Sequence, residues 1–378
     1  MQPVLAIATS VAGAGVVVGT WSSVLRTLVI PRGLSSKLTL IVSRAVAWPF
    51  GVVADRIDSY DRRDSVLAAQ ASITLLALLL TWLALFMVGF ALLLWALNGG
   101  TAAAALRESG SAIFTLGFAA ARSPSSTALH FLAAVTGLVV VALQIGYLPT
   151  LYSAFARRET LVTMLESRAG LPAWGPEILA RHQTVQLLDN LPQFYADWER
   201  WAADVTESHS NYPALIHFRS PEARRSWLVG LLSVLDSAAL YLALCPMAAP
   251  TEARLCLRMG FTALRNLCDA VRIPYDPDPM PDTPISLTYE EFLNGVGRMQ
   301  AVAFPIERSP EEAWPHFRGW RTNYEANAYA LADLIEAVPA LWSGPRKRGT
   351  ERMSPYAPLD RRPDDPEGRR NLIRKRGA

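Results

Sequence analysis

Between Ser65 and Leu106 there is no charged residue, and from Ser123 to Ala156 only His130 can gain charge near neutral pH. A helix in water needs a charged face, so charge-free runs of this length read as lipid-buried. The bulk composition, 51% hydrophobic, hides the asymmetry, because the remainder is charged and Pro-punctuated like an ordinary water-facing domain. The expected fold class is therefore all-α: an integral membrane protein with three transmembrane helices and a C-terminal cytoplasmic helical domain.

The first apolar run is Pro3 to about Leu25, within a segment 1–30 read as the first transmembrane helix. A signal peptide is the competing reading. No positive residue precedes the run, as a secretory leader requires, which favours a retained helix. Segment 31–70 is cytoplasmic or interfacial. The second run, Ala71–Leu97, is long enough to cross the roughly 30 Å hydrocarbon core with tilt to spare. The third, Thr127 to about Ala156, ends at Arg157-Arg158. Together they bound a membrane domain at 71–156. A helical domain follows at 157–343, and then a basic tail at 344–378. With eleven Arg or Lys against five Asp or Glu, the tail is expected to be disordered, or to lie against anionic lipid.

Arg32, Lys37, Arg44, Arg56, Arg62 and Arg63 crowd Pro31–Asp64, whereas Asn98–Ser126 holds only Arg107 and Arg122. Positive-inside counting places the first loop and the C-terminus in the cytoplasm. Lys occurs only at Lys37, Lys347 and Lys375, a coding bias that suggests a bacterial cell membrane. Cys245, Cys256 and Cys268 form no C-x-x-C pair, which fits a reducing compartment.

In the water-facing half, Ser220-Pro221-Glu222 and Pro250-Thr251-Glu252 mark helix starts. Thr288 with Glu291 and Ser309 with Glu312 form capping boxes, the second opening a helix to about Trp342. Trp227–Ala249 could span a bilayer but carries Asp236, whose insertion costs on the order of 3 kcal/mol. It reads as a buried helix, with Arg258 or Arg265 as partner to Asp236. Trp198 and Trp201 read as core. His209, Asn211, Tyr212, His217 and Arg219 are either a ligand site or loop residues satisfying one another. No cofactor, metal site or nucleic-acid partner is expected. No Arg-periodic voltage sensor and no dinucleotide fingerprint is present.

Thr101–Phe114 has high helix propensity but is too short to cross. A small-residue turn and then a full span follow it. A short helix that enters and turns back is a re-entrant loop, and its backbone survives at that depth only where protein buries it or it lines water. The alternative is a plain hairpin with an Ala-rich outer linker. Thr115-Leu116-Gly117-Phe118-Ala119-Ala120, with Ser123-Pro124 after it, resembles the filter of the potassium-channel superfamily, Thr-Val-Gly-Tyr-Gly-Asp, in its two-helix-plus-pore-loop form. The resemblance covers about 71–159. It implies an ion channel: a homotetramer passing monovalent cations such as K+ through a filter of Thr115, Leu116, Gly117, Phe118 and Ala119. No enzymatic activity is implied. Ala119 stands where the family has a left-handed Gly, a cost of about 1–2 kcal/mol. Ala120 replaces the family's acid, and Phe114 its preceding Thr. Glu108 either sits behind the filter or pairs with Arg107 or Arg122. Gly137, Gly146 and Pro149 in the third span are candidate gating hinges, or simply close-packing positions. The reading from a different class is a non-conducting membrane-anchored interaction or sensor protein acting through its cytoplasmic domain.

Overall fold

The computed structural model describes residues 3–30, 36–346 and 351–356, with Pro363 and Pro366. Among these the chain is α-helical, with two isolated β-bridges. It forms two compact units. Unit 1 comprises Met1–Arg56 and Ala69–Ser153; unit 2 comprises Ile57–Ala68 and Ala154–Ala378. The division does not follow one cut, because Ile57–Ala68 belongs with the C-terminal part.

Unit 1 contains α1 (Pro3–Leu28), α2 (Lys37–Ala54), α4 (Gln70–Asn98), α5 (Ala102–Ile113) and the first part of α6 (Pro124–Ala169). Helix α1 packs antiparallel on α4. A Cβ on Gly13 would stand 2.8 Å from the Gly89 carbonyl oxygen, so glycines set this crossing. Further along α1, Ser23 accepts from Trp82 Nε1 at 3.0 Å. Ser36 caps α2, accepting from the Thr39 N–H, and its hydroxyl also lies 2.7 Å from that of Ser23.

Among the described residues five helices are long and apolar enough to cross a membrane, where the sequence predicts three. The two additions are α2 and α9 (Trp227–Leu244). They differ in surroundings: 94% of α9 is buried inside the protein against 6% of α2. The long run in α6 continues past Ala156 to Ala169, because Arg157 and Arg158 join the helix rather than end it.

Unit 2 is built around α9. Helix α3 (Tyr60–Ala68), α7 (Gly175–Thr184), α8 (Leu191–Asn211), α10 (Thr251–Val271), α11 (Tyr289–Gln300), α12 (Pro310–Arg321) and α13 (Glu325–Leu334) complete it. Trp198 and Trp201 lie in its core. Asp236 in α9 pairs with Arg321, not with Arg258 or Arg265, and accepts from the Tyr324 hydroxyl at 2.9 Å. Arg321 also donates to the Trp342 carbonyl at 2.7 Å. That convergence explains a second correction. The chain stops being helical after Arg321 and restarts at Glu325, so the predicted single helix from Ser309 to Trp342 is broken.

Both predicted capping boxes form. Ser220-Pro221-Glu222, however, does not open a helix; α9 starts at Trp227 with Ser226 as its cap. Arg158 is fully buried and donates to the carbonyls of Leu215 (2.9 Å) and Phe218 (2.8 Å), which pins the chain just before that segment. Part of the predicted tail is placed on unit 2: Arg346 is buried and donates to the Ala337 and Val338 carbonyls, and Tyr356 pairs with Leu171. The tail beyond Tyr356, save Pro363 and Pro366, lies outside the described residues.

Candidate functional site

The chain leaves α4 at Asn98 and turns back through Gly99 and Gly100, both at positive φ. Thr101 accepts from the Ala104 N–H and caps α5. Helix α5 then runs back along α4. Ala105 packs with Ala91 and Leu94 near its start, and Ser109 donates to the Met87 carbonyl at 2.7 Å. Ala112 and Ile113 reach Leu83, Phe86 and Phe90. Met87 lies eleven residues before Asn98, or about 16 Å along the axis, so α5 ends near the middle of α4.

Helix α6 meets α5 at this depth. A Cβ on Gly137 would lie 2.2 Å from the Ile113 carbonyl oxygen. Gly137 stands thirteen residues into α6, about 20 Å from its start. Glu108 is 7% exposed and joins three segments: it pairs with Arg122 at 2.9 Å and accepts from Asn98 Nδ2 at 3.1 Å. Of the two sequence readings of Glu108, the pair with Arg122 forms, with the carboxylate buried.

The turn after Ile113 is held by one residue. Ser111 accepts on its carbonyl from the Leu116 and Gly117 N–H groups (2.9 and 3.4 Å), and on Oγ from the Ala119 N–H (3.1 Å). Thr115 (φ 54°) and Gly117 (φ 70°) are left-handed. Ala119 is not, so the strain expected at Ala119 falls on the β-branched Thr115 instead. The Arg107 guanidinium lies 5.3 Å from the Phe118 ring, which shows the chain returning beside α5. The carbonyls of Thr115, Leu116, Gly117 and Phe118 accept no hydrogen bond among the described residues. Phe114, Leu116 and Phe118 expose their side chains.

The three hinge candidates differ. Gly137 is packed against Ile113, whereas Gly146 has nothing within 4 Å of a Cβ. Pro149 has no N–H to give the Ile145 carbonyl, yet α6 continues through it. Sequence reasoning missed Gln144 on the same helix. It is buried, and its Oε1 has no partner among the described residues. A lone amide in an otherwise apolar run was the available signal. The chain matches no known family, no curated protein and no solved structure.

Proposed function

We propose that the chain is one subunit of a cation-conducting pore, with Thr115–Ala119 contributing to its filter. The observation that carries this reading is the unpartnered row of carbonyls from Thr115 to Phe118, on a turn halfway along two long apolar helices. Inside a bilayer such groups need protein or water to face, and a ring of carbonyls can replace an ion's hydration shell. One chain supplies one turn, so four copies around an axis complete the ring. Monovalent cations, K+ among them, are the fitting occupants.

In this reading α1, α4 and α6 cross the membrane. Helix α9 stays within unit 2, because it is enclosed and carries the Asp236–Arg321 pair. Helix α2 lies at the interface. Its exposed stripe, Lys37, Ile41, Arg44 and Trp48, combines basic stems with an aromatic, as interfacial helices do. Segment 55–69, with α3, and the C-terminus then lie on the cytoplasmic side of a bacterial cell membrane. Gly146 and Pro149 can bend α6 for gating; Gly137 serves packing.

A second reading, a non-conducting membrane-anchored interaction or sensor protein, draws on the helical unit 2 built around the enclosed helix α9. Oligomer mass in detergent separates the two. Four copies are expected of a pore; a monomer at all concentrations overturns it in favour of the sensor.

A further inference from the structure

Helix α10 of unit 2 gathers its arginines along one side. Arg254, Arg258 and Arg265 are spaced by four and seven residues, so they fall on one line of the helix with Phe261 between them. The line runs for about 16 Å along the axis. Arg272, the C-cap, is exposed two turns further on. The opposite side is core: Cys256, Gly260, Ala263 and Leu264 are buried there.

These side chains differ from other exposed arginines of the same unit. Arg157, Arg200 and Arg224 meet Asp204, Asp197 and Asp61 at 3.2, 3.4 and 3.0 Å. None of the four on α10 forms an ion pair among the described residues. Two of them meet rings instead: Arg254 lies 5.8 Å from Trp320, and Arg265 lies 5.0 Å from Phe261. A ring holds a guanidinium in place without neutralising it. Against four arginines the helix sets two acids, Glu252 and Asp269, and Asp269 accepts from the Tyr275 hydroxyl at 3.1 Å. Leu255, 45% exposed, stands three residues before Arg258 on the same open surface.

We propose that this face of α10 docks on an anionic phospholipid leaflet, with its guanidinium groups on headgroup phosphates. The planar fork of arginine matches a phosphate, and a row of unpaired cations fits a surface of fixed negative charge. A nucleic acid also offers phosphates, but a leaflet places acyl chains directly below them, where Leu255 can go. Basic side chains beside an apolar one are the pattern of helices that lie on membranes. The inference rests on α1, α4 and α6 crossing a bilayer, and not on conduction. Its consequence is that the charge of the surrounding lipid sets how firmly unit 2 is held.

The test uses full-length protein carrying Thr262→Cys, labelled with an environment-sensitive maleimide dye. Thr262 is exposed beside Arg258, while Cys245, Cys256 and Cys268 are buried and stay unlabelled. The protein is placed in nanodiscs of phosphatidylcholine alone, or of phosphatidylcholine mixed with phosphatidylglycerol. Emission should shift to the blue in the anionic discs and return in about 1 M salt, where charges are screened beyond about 3 Å. Arg254→Gln, Arg258→Gln and Arg265→Gln should each lower the docked-to-free ratio about fivefold, and together on the order of a hundredfold. Arg258 has no side-chain partner among the described residues, so its loss leaves the fold unchanged, and Arg258→Lys should keep most of the shift. Equal emission in both kinds of disc overturns the docking and leaves the spans untouched. So does a shift that survives both high salt and the triple variant. A shift produced by duplex oligonucleotide in neutral discs, with none in anionic discs, replaces lipid by nucleic acid. Protein that enters neither kind of disc counts against the spans and removes the docking with them.

Discussion

Gly137 and Ile113 touch: the backbone of α6 at Gly137 lies so close to the Ile113 carbonyl that a Cβ would stand 2.2 Å from its oxygen. This contact fixes where the short helix ends relative to the long one, and hence where the Thr115–Ala119 turn is held.

Substitution at Gly137 should therefore be costly in a way that substitution at Gly146 is not. Gly137→Ala forces a carbonyl or a helix to move, an overpacking cost of about 1–3 kcal/mol. Gly146 has open space around it, so Gly146→Ala should leave stability within about 0.5 kcal/mol. Thermal melting of both variants in one detergent checks this. Equal melting temperatures would contradict the close approach.

Asp236 should matter to unit 2 out of proportion to its size. Burial pushes its carboxyl up to about 6, against the pull of Arg321 and Tyr324. Asp236→Ala removes one of the two carboxylates that meet the fully buried Arg321 and leaves Glu325, at a cost of about 1.5–3 kcal/mol. The full-length variant should lose hydrogen-exchange protection in α9 and α12 together. Protection unchanged from the wild type would contradict the pairing.

How much of this was legible beforehand follows the range of the interactions. Thr288–Glu291 and Ser309–Glu312 cap helices through neighbours three residues away, and both were readable. That Trp227–Leu244 is a core helix was readable from Asp236 alone, because a lone acid resists lipid. Its partner was not, since Arg321 is 85 residues distant and only tertiary packing selects it over Arg258 or Arg265. Likewise, nothing local in Ile57–Ala68 shows that Asp64 will meet Arg219, so that segment was grouped with its sequence neighbours. In the turn, Gly117 was readable as left-handed. Thr115 was not, because its φ of 54° is imposed by the Ser111 hydrogen bonds against its own preference.

The cysteines should be silent to thiol reagents in the folded protein. Cys245, Cys256 and Cys268 are buried. Burial pushes the Cys245 and Cys268 thiols up to about 12 and Cys256 higher, so thiolate does not form at about pH 8.5. Maleimide should label none natively and all three after unfolding. This makes the natural chain a background for topology: a cysteine at Ser123, but not one at Ser59, should react with an impermeant reagent on intact cells. The opposite pattern would invert the proposed orientation.

Cation flux through liposomes carrying the purified protein bears most directly on the central claim. Wild-type protein is expected to pass monovalent cations, with K+ over Na+ discrimination weaker than the potassium-channel filter it resembles would give, because Ala119 and Ala120 stand where that pattern has Gly and an acid. Gly117→Val should abolish flux while leaving the oligomer intact, since Gly117 sits at φ 70°, which a β-branched residue adopts only with strain. No flux from wild-type protein under changes of pH, calcium or membrane potential, or flux undiminished in an intact Gly117→Val oligomer, would contradict a pore built on Thr115–Ala119.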